Sequence, residues 1–246
     1  MRILIELQAL KDAIYDNKYH HKLQGAIYNL LKNTIFSNLH SKKGYKFFCF
    51  SNIFPFDDIK TGDIRRFLIS SPNKELINAI KYQIESDMER TINVGEMEFK
   101  VNDYKILKPK LGRSCSLITG TPIVMRIPRK NYKEYGMRSK YDYTYWRPNH
   151  PFEAFINQIT ENLFKKYNEF HGTEAKEFPI FQQFLLKKSV CNHVVIEGKE
   201  IKIFGSLWQF IFDYLDNDQR EILQFGLETG LGELNSLGFG FMNVVK

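Results

Sequence analysis

Hydrophobic positions set the period of each segment. Between Arg2 and Leu10, Ile3, Ile5 and Leu7 share one face while Glu6 and Gln8 take the other, the two-residue period of a strand. The period then lengthens, with Leu23, Ile27, Leu30 and Leu31 at i, i+4, i+7 and i+8, which predicts a helix. Lys46–Ile53 and Ile64–Ile69 are rich in aromatic and β-branched residues and read as strands. Asn73 is a suitable N-cap for a second helix with the stripe Leu76, Ile77, Ile80 and Ile84. Thr91–Val94 and Glu96–Leu107 are strand-like on either side of Gly95. The first half therefore reads β-α-β-β-α-β.

The second half repeats that order without repeating the residues. Leu117–Ile127 is strand-like, and after a polar, tyrosine-rich stretch Asn149 is expected to cap a helix, with Pro151 near its first turn. The stripe of that helix is Phe152, Ile156, Ile159 and Leu163. Phe181–Val190 and Lys202–Phe212 read as strands, Asp218 and Glu221 have capping-box spacing for a last helix, and Phe239–Val245 reads as a closing strand. Two successive β-α-β-β-α-β units predict an α+β protein of two tandem ferredoxin-like domains, residues 1–110 and 111–246. The junction falls near Pro109–Arg113.

With 43% hydrophobic and 26% charged residues, the chain has the material for a packed core, which excludes intrinsic disorder. The formal charge is +7, but it is unevenly spread. Lys105–Arg147 carries eleven basic side chains against Glu134 and Asp142, so the rest of the chain is slightly acidic. The same segment holds Tyr132, Tyr135, Tyr141, Tyr143, Tyr145 and Trp146. Positive charge interleaved with rings that can stack on bases points to single-stranded nucleic acid. The alternative is a solvated insertion whose rings pack onto the second domain. Cys49, Cys115 and Cys191 form no CxxC pair, the N-terminal run is too polar for a secretion signal, and no apolar run is long enough to span a membrane. A cytoplasmic protein is expected.

Chemistry is concentrated in two places. Gly230, Gly232, Gly238 and Gly240 fall within eleven residues, with Asn235 and Ser236 among them. Glycine lets a backbone approach a ligand closely, so such a loop can aim bare amides at phosphate; the alternative is a helix end running into a bent strand. Neither a Rossmann fingerprint nor a P-loop fits the spacing. On the functional reading, Gly232→Val or Gly238→Val would damage ligand binding more than folding. The second place is Tyr28, at the edge of the first helix stripe, with His40 just after that helix and Lys46 opening the next strand. If they converge, a histidine can move protons near neutral pH and a lysine can stabilise an anionic phosphorus transition state. His20 and His21 are rival histidines. No metal site is expected: His150, His171 and His193 lack zinc spacing, and Arg220 interrupts the calcium-loop pattern opened by Asp216.

The ending Glu228-Thr229-Gly230-Leu231-Gly232-Glu233-Leu234-Asn235-Ser236-Leu237-Gly238-Phe239-Gly240 closely resembles the glycine-rich loop of the CRISPR-associated repeat-processing endoribonucleases, within the repeat-associated mysterious protein superfamily. Tyr19-His20, Leu23-Gln24-Gly25, Ile27-Tyr28-Asn29 and Leu39-His40 with Gly44 and Lys46 resemble that family's first helix and catalytic loop. The likeness covers roughly residues 1–50 and 220–246; between them only the order of elements matches. It implies two ferredoxin-like domains and metal-independent cleavage within a CRISPR repeat, leaving a 2′,3′-cyclic phosphate and a 5′-hydroxyl. By the same resemblance Tyr28, His40 and Lys46 are the catalytic residues and no cofactor is needed. The glycine-rich loop, with Lys108, Lys110, Arg113, Arg126, Arg129 and Lys130, would hold the repeat RNA. Other CRISPR-associated proteins are the implied partners, the chain being a monomer or a homodimer. Some members bind RNA without cutting it, so a non-catalytic RNA-binding subunit is the alternative.

Overall fold

The computed structural model describes residues 1–16, 18–87, 89–196 and 198–245. Its elements run β1 (Arg2–Ala9), α1 (His20–Leu31), β2 (Cys49–Phe50), β3 (Ile64–Ser70), α2 (Lys74–Ser86), β4 (Thr91–Val94) and β5 (Met97–Leu107). They continue with β6 (Cys115–Thr119), β7 (Arg126–Pro128), β8 (Tyr143–Tyr145), α3 (Phe152–His171), β9 (Gln183–Ile196), β10 (Lys199–Phe212), α4 (Asn217–Thr229) and β11 (Met242–Val245).

The first sheet has the order β2-β3-β1-β5-β4. β1 is central and antiparallel to both neighbours, Ile5 facing Phe67 on β3 and Tyr104 on β5. Ile3, Ile5 and Leu7 are fully buried, as their alternation requires. Over them lie Leu23, Ile27 and Leu30 of α1 and Leu76, Ile77 and Ile80 of α2, in one apolar cluster. Burying a side chain of this size contributes ~1.5–3 kcal/mol, so the cluster dominates the unit's stability. Asn73 caps α2 as expected, its side chain accepting from the amides of Glu75 and Leu76.

The second sheet, β11-β6-β10-β9, has the ferredoxin-like order, with its first strand between the last and the third; β7 and β8 form a separate two-stranded sheet. Chain contacts divide the molecule into two compact units. The first is 1–109 with 193–201 and 236–238; the second is 110–192, 202–235 and 239–246. The fold is therefore a tandem pair of ferredoxin-like units.

Several elements differ from expectation, each for a local reason. Lys46–Ile53 yields only the two residues of β2, because Phe47 takes φ +52° and bends the chain out of the ladder. Leu117–Ile127 is not one strand: β6 ends at Thr119, Pro122 has no amide for a ladder, and β7 resumes at Arg126. Asn149 does not cap α3. It lies in a turn closed by the His150 amide on Arg147 O, and Pro151 takes the N-cap position. The capping box of α4 is Asp216 with Gln219, two residues earlier than Asp218 and Glu221. Phe239–Phe241 stay in the preceding loop, so the last strand is only Met242–Val245.

Candidate active site

Tyr28, His40 and Lys46 come together in the first unit. α1 places Tyr28 half-buried at the edge of its apolar face, where it packs against the core. A 3-10 turn over Ser37–Leu39 then delivers His40, which is exposed. The Tyr28 and His40 rings meet edge to face, with centroids 5.1 Å apart and planes at 88°. Lys46 closes the cluster: its Nζ donates to the Tyr28 hydroxyl at 3.0 Å and to the His40 carbonyl oxygen at 2.7 Å. Two backbone positions near Lys46 explain how the loop returns to α1. Gly44 at φ +83° and Phe47 at φ +52° both take the left-handed region, and Ser71 Oγ holds the Phe47 carbonyl at 2.6 Å.

Burial pushes the Tyr28 phenol up to about 12, against the opposite pull of a hydrogen bond from the Ser236 side chain. The tyrosine is therefore neutral at pH 7 and has a proton to donate. Partial burial lowers Lys46 from the ordinary lysine value. The rival His20 is buried and stacked on Tyr19, with centroids 5.1 Å apart. Burial pulls it down to about 4, so it is neutral at pH 7 and belongs to the core. His21 lies two turns, about 10 Å of helix axis, before Tyr28.

The glycine-rich loop has a different character. All four glycines are buried and take positive φ. A Cβ on Gly232 would lie 2.7 Å from both Ile123 Cγ2 and the Val124 carbonyl oxygen; one on Gly238 would enter the Phe50 ring, and one on Gly240 would overlap the Leu231 carbonyl. Glycine is needed here for the loop's own packing, which reverses the order expected for Gly232→Val and Gly238→Val: folding suffers first. The half-buried stretch Glu233–Ser236 is the accessible part of the loop.

Lys166 braces this loop, and sequence reasoning missed it. It is 1% exposed, and its Nζ donates to Gly230 O at 2.6 Å, Gly232 O at 3.1 Å and Asn235 Oδ1 at 3.0 Å. Asn235 Nδ2 in turn donates to Leu231 O and Phe239 O, so the Asn235 side chain works inside the loop. The available signal was a lysine in the apolar stripe of α3, three residues after Leu163.

Of the basic candidates, Lys108, Lys110, Arg113, Arg129 and Lys130 are exposed. Arg126 is not free for a polyanion: half-buried, it pairs with the Glu233 carboxylate and lies over the Tyr143 ring at 5.1 Å. The rings divide in the same way. Trp146 and Tyr132 are buried, Trp146 lying 4.8 Å from Phe155, while Tyr141 and Tyr143 are exposed. Among the described residues no group of three or more His, Cys, Asp or Glu side chains could hold a metal ion, and no helix is long and apolar enough to cross a membrane.

Comparison with known proteins bears on this arrangement. Residues 106–244 match the family model "CRISPR associated protein Cas6, C-terminal". A CRISPR-associated endoribonuclease Cas6 of Haloferax mediterranei is 33% identical, covering 100% of this chain and 94% of the relative. CRISPR-associated endoribonuclease Cas6 2 of Methanocaldococcus jannaschii is 31% identical, with both chains fully covered. A solved structure described as CRISPR associated protein Cas6 superposes with a TM-score of 0.73 at 25% identity, covering 100% of this chain and 99% of its own. Likeness of this extent, at both ends and through the middle, settles the family: the chain belongs to the CRISPR-associated Cas6 endoribonucleases.

Proposed function

We propose that this chain cuts precursor CRISPR RNA within the repeat, without a metal ion, through attack of the RNA's own 2′-hydroxyl on the adjacent phosphorus. The O2′–P bond forms and the P–O5′ bond breaks, leaving a 2′,3′-cyclic phosphate on one fragment and a 5′-hydroxyl on the other. A proton leaves the 2′-hydroxyl and one is delivered to the 5′ oxygen. His40 is the main proton-transfer residue, exposed beside Tyr28 where a phosphate can reach it. Tyr28 remains a phenol and donates a hydrogen bond rather than accepting a proton. Lys46 offsets the charge that builds up on the phosphorane.

The observation that carries this reading is the convergence of the three side chains, with Lys46 Nζ 3.0 Å from the Tyr28 hydroxyl. A non-catalytic RNA-binding subunit needs the loop and the charge but no such cluster. Lys108, Lys110, Arg113, Arg129 and Lys130 hold phosphates in the proposed complex, and the accessible stretch of the glycine-rich loop contacts the RNA. Other CRISPR-associated proteins that take up the product are the proposed partners. The test is cleavage of the repeat in EDTA, with and without a 2′-deoxy nucleotide 5′ of the scissile phosphate. Cleavage should survive EDTA and vanish with the 2′-deoxy substitution; a Mg²⁺ requirement would overturn the mechanism. Tight binding with no cut would favour the non-catalytic subunit.

A further inference from the structure

β7 and β8 sort their side chains by face. In their register Arg126 stands opposite Tyr145, Ile127 opposite Thr144 and Pro128 opposite Tyr143. Ile127 is fully buried, and Thr144 Oγ1 is hydrogen-bonded to the hydroxyl of the buried Tyr132 at 2.8 Å, so that face is turned inward. Arg126, Tyr143 and Tyr145 share the outer face. There the planar groups form a row. The Tyr143 and Tyr145 rings lie 5.5 Å apart, and Tyr145 lies 6.1 Å from Phe204 of β10. The Arg147 guanidinium is 3.7 Å from the centre of the Phe204 ring, within stacking distance. Tyr145 and Phe204 are half-buried in the middle of the row, while its ends stay open: Tyr143 is 42% exposed, and Arg147 is exposed.

Rings and a guanidinium in a row on a sheet offer flat surfaces to nucleobases of any identity, since every base has a π-face. The surroundings suit a polyanion. The Glu233 carboxylate beside the row is taken up by Arg126, and Arg129 and Lys130, directly after β7, are exposed. Glu233 also joins the row to the accessible stretch of the glycine-rich loop, its amide donating to the Val124 carbonyl oxygen at 2.9 Å. We propose that the outer face of β7 and β8, with Phe204, is a stacking platform for two unpaired bases of the repeat RNA, one on Tyr143 and one on Arg147. This rests on the reading of the chain as an RNA-cleaving protein. It takes bases, where Lys108, Lys110, Arg113, Arg129 and Lys130 take phosphates.

The test is equilibrium affinity for the repeat RNA, blocked against cleavage by the 2′-deoxy nucleotide, across a series of salt concentrations. Tyr143→Ala should weaken binding about 5- to 150-fold, the loss of one stacked base, at an unchanged salt slope. Tyr143→Phe, which keeps the ring, should bind within about twofold of the unmodified protein. Arg147→Lys keeps the charge and loses the plane, so it should also weaken binding at an unchanged slope. A scan of the repeat with single abasic nucleotides then locates the base. At one position the abasic RNA should bind the unmodified protein weakly and lose nothing further with Tyr143→Ala. A merely structural role for Tyr143 would show as a lower melting temperature with an equal loss on every abasic RNA, and that result overturns the platform. Full affinity in both Tyr143→Ala and Arg147→Lys overturns it as well. If the unmodified protein does not bind the repeat at all, the RNA reading itself has failed, and that is seen before any variant is compared.

Discussion

The glycine-rich loop and the Tyr28–His40–Lys46 cluster were the two places where the sequence concentrated chemistry, yet they are built in opposite ways. The loop is held from within: a buried lysine and an asparagine side chain bind four of its carbonyls, and Gly232, Gly238 and Gly240 sit where a Cβ has no room. The cluster is held loosely, by one helix position and an irregular loop, and its histidine is exposed. Its polar contacts are few, and Lys46 supplies two of them. Rigidity thus resides in the segment that shapes the surface, and accessibility in the segment that would do chemistry. A change in the loop should be felt first as stability, a change in the cluster first as rate.

Gly240→Val tests that contrast most severely. The added side chain would overlap the Leu231 carbonyl at a residue with φ +72°, where a β-branched residue is strained in any case. A loss of several kcal/mol, on the order of 3–5, is expected, read as a large fall in melting temperature or no folded protein at all. A stable Gly240→Val protein that merely binds RNA poorly would return the loop to a ligand-binding role. His40→Ala is the counterpart. It should leave the melting temperature unchanged and slow cleavage by about 10²–10⁴, the usual worth of a proton-transfer residue. Full activity in that variant would move attention to His21.

Lys166→Met probes the brace. The substitution keeps the apolar stem but leaves the Gly230 and Gly232 carbonyls and the Asn235 side chain without their shared donor. Unmet buried acceptors cost about 1–3 kcal/mol each before relaxation, so a total near 3 kcal/mol is expected in chemical denaturation, with RNA affinity falling as the loop loosens. An unchanged midpoint would mean that the carbonyls find other partners.

How much of this was legible depends on whether a residue's partner is near in sequence. The tandem fold was, because each apolar stripe is local: Ile3, Ile5 and Leu7, or Leu76, Ile77 and Ile80, declare their own periods and are buried as read. The cluster was partly legible, since Tyr28 sits visibly at a stripe edge, but its closure depends on Phe47 adopting a left-handed conformation that no pattern announces. The internal packing of the loop was not legible. A glycine that packs and a glycine that admits phosphate look alike until the neighbours arrive, and those neighbours, Ile123, Val124 and Phe50, are more than 100 residues away. Arg126 shows the same limit, its charge cancelled by Glu233 across 107 positions.

His20 sharpens the contrast through pH. His20 is buried and neutral, its pKa pulled from the ordinary 6.5 down to about 4, so the folded state takes up its proton at lower pH than the unfolded chain does. The sign follows: this part of the stability is fully present above pH 6.5, falls between 6.5 and about 4, and is lost below that. The span corresponds to roughly 3 kcal/mol. His20→Phe should flatten the stability curve in that window, as followed by denaturation at a series of pH values. A curve unchanged by His20→Phe would mean that other groups carry the acid sensitivity.

The smallest effect expected concerns the exposed charge, which belongs to neither region. Lys108, Lys110 and Arg113 lie close to the chain boundary at residue 110 and face solvent, although Arg113 also rests over the Tyr214 ring at 5.8 Å. Each phosphate they neutralise releases counterions, so the slope of log affinity against log salt should shrink by about 0.7 for every phosphate of a single strand left without its cation. Reversing all three to Glu should therefore weaken binding across sequences and flatten the slope by about two, at a nearly unchanged single-turnover rate once RNA is saturating. The comparison with Arg126 supplies the control. Because its guanidinium already pairs with Glu233, Arg126→Gln should change the salt slope little and disturb the loop more, through the Glu233 carboxylate left with only the backbone amide of residue 126. If instead Arg126→Gln flattens the slope and the triple reversal does not, the RNA path runs along β7 rather than past residues 108–113.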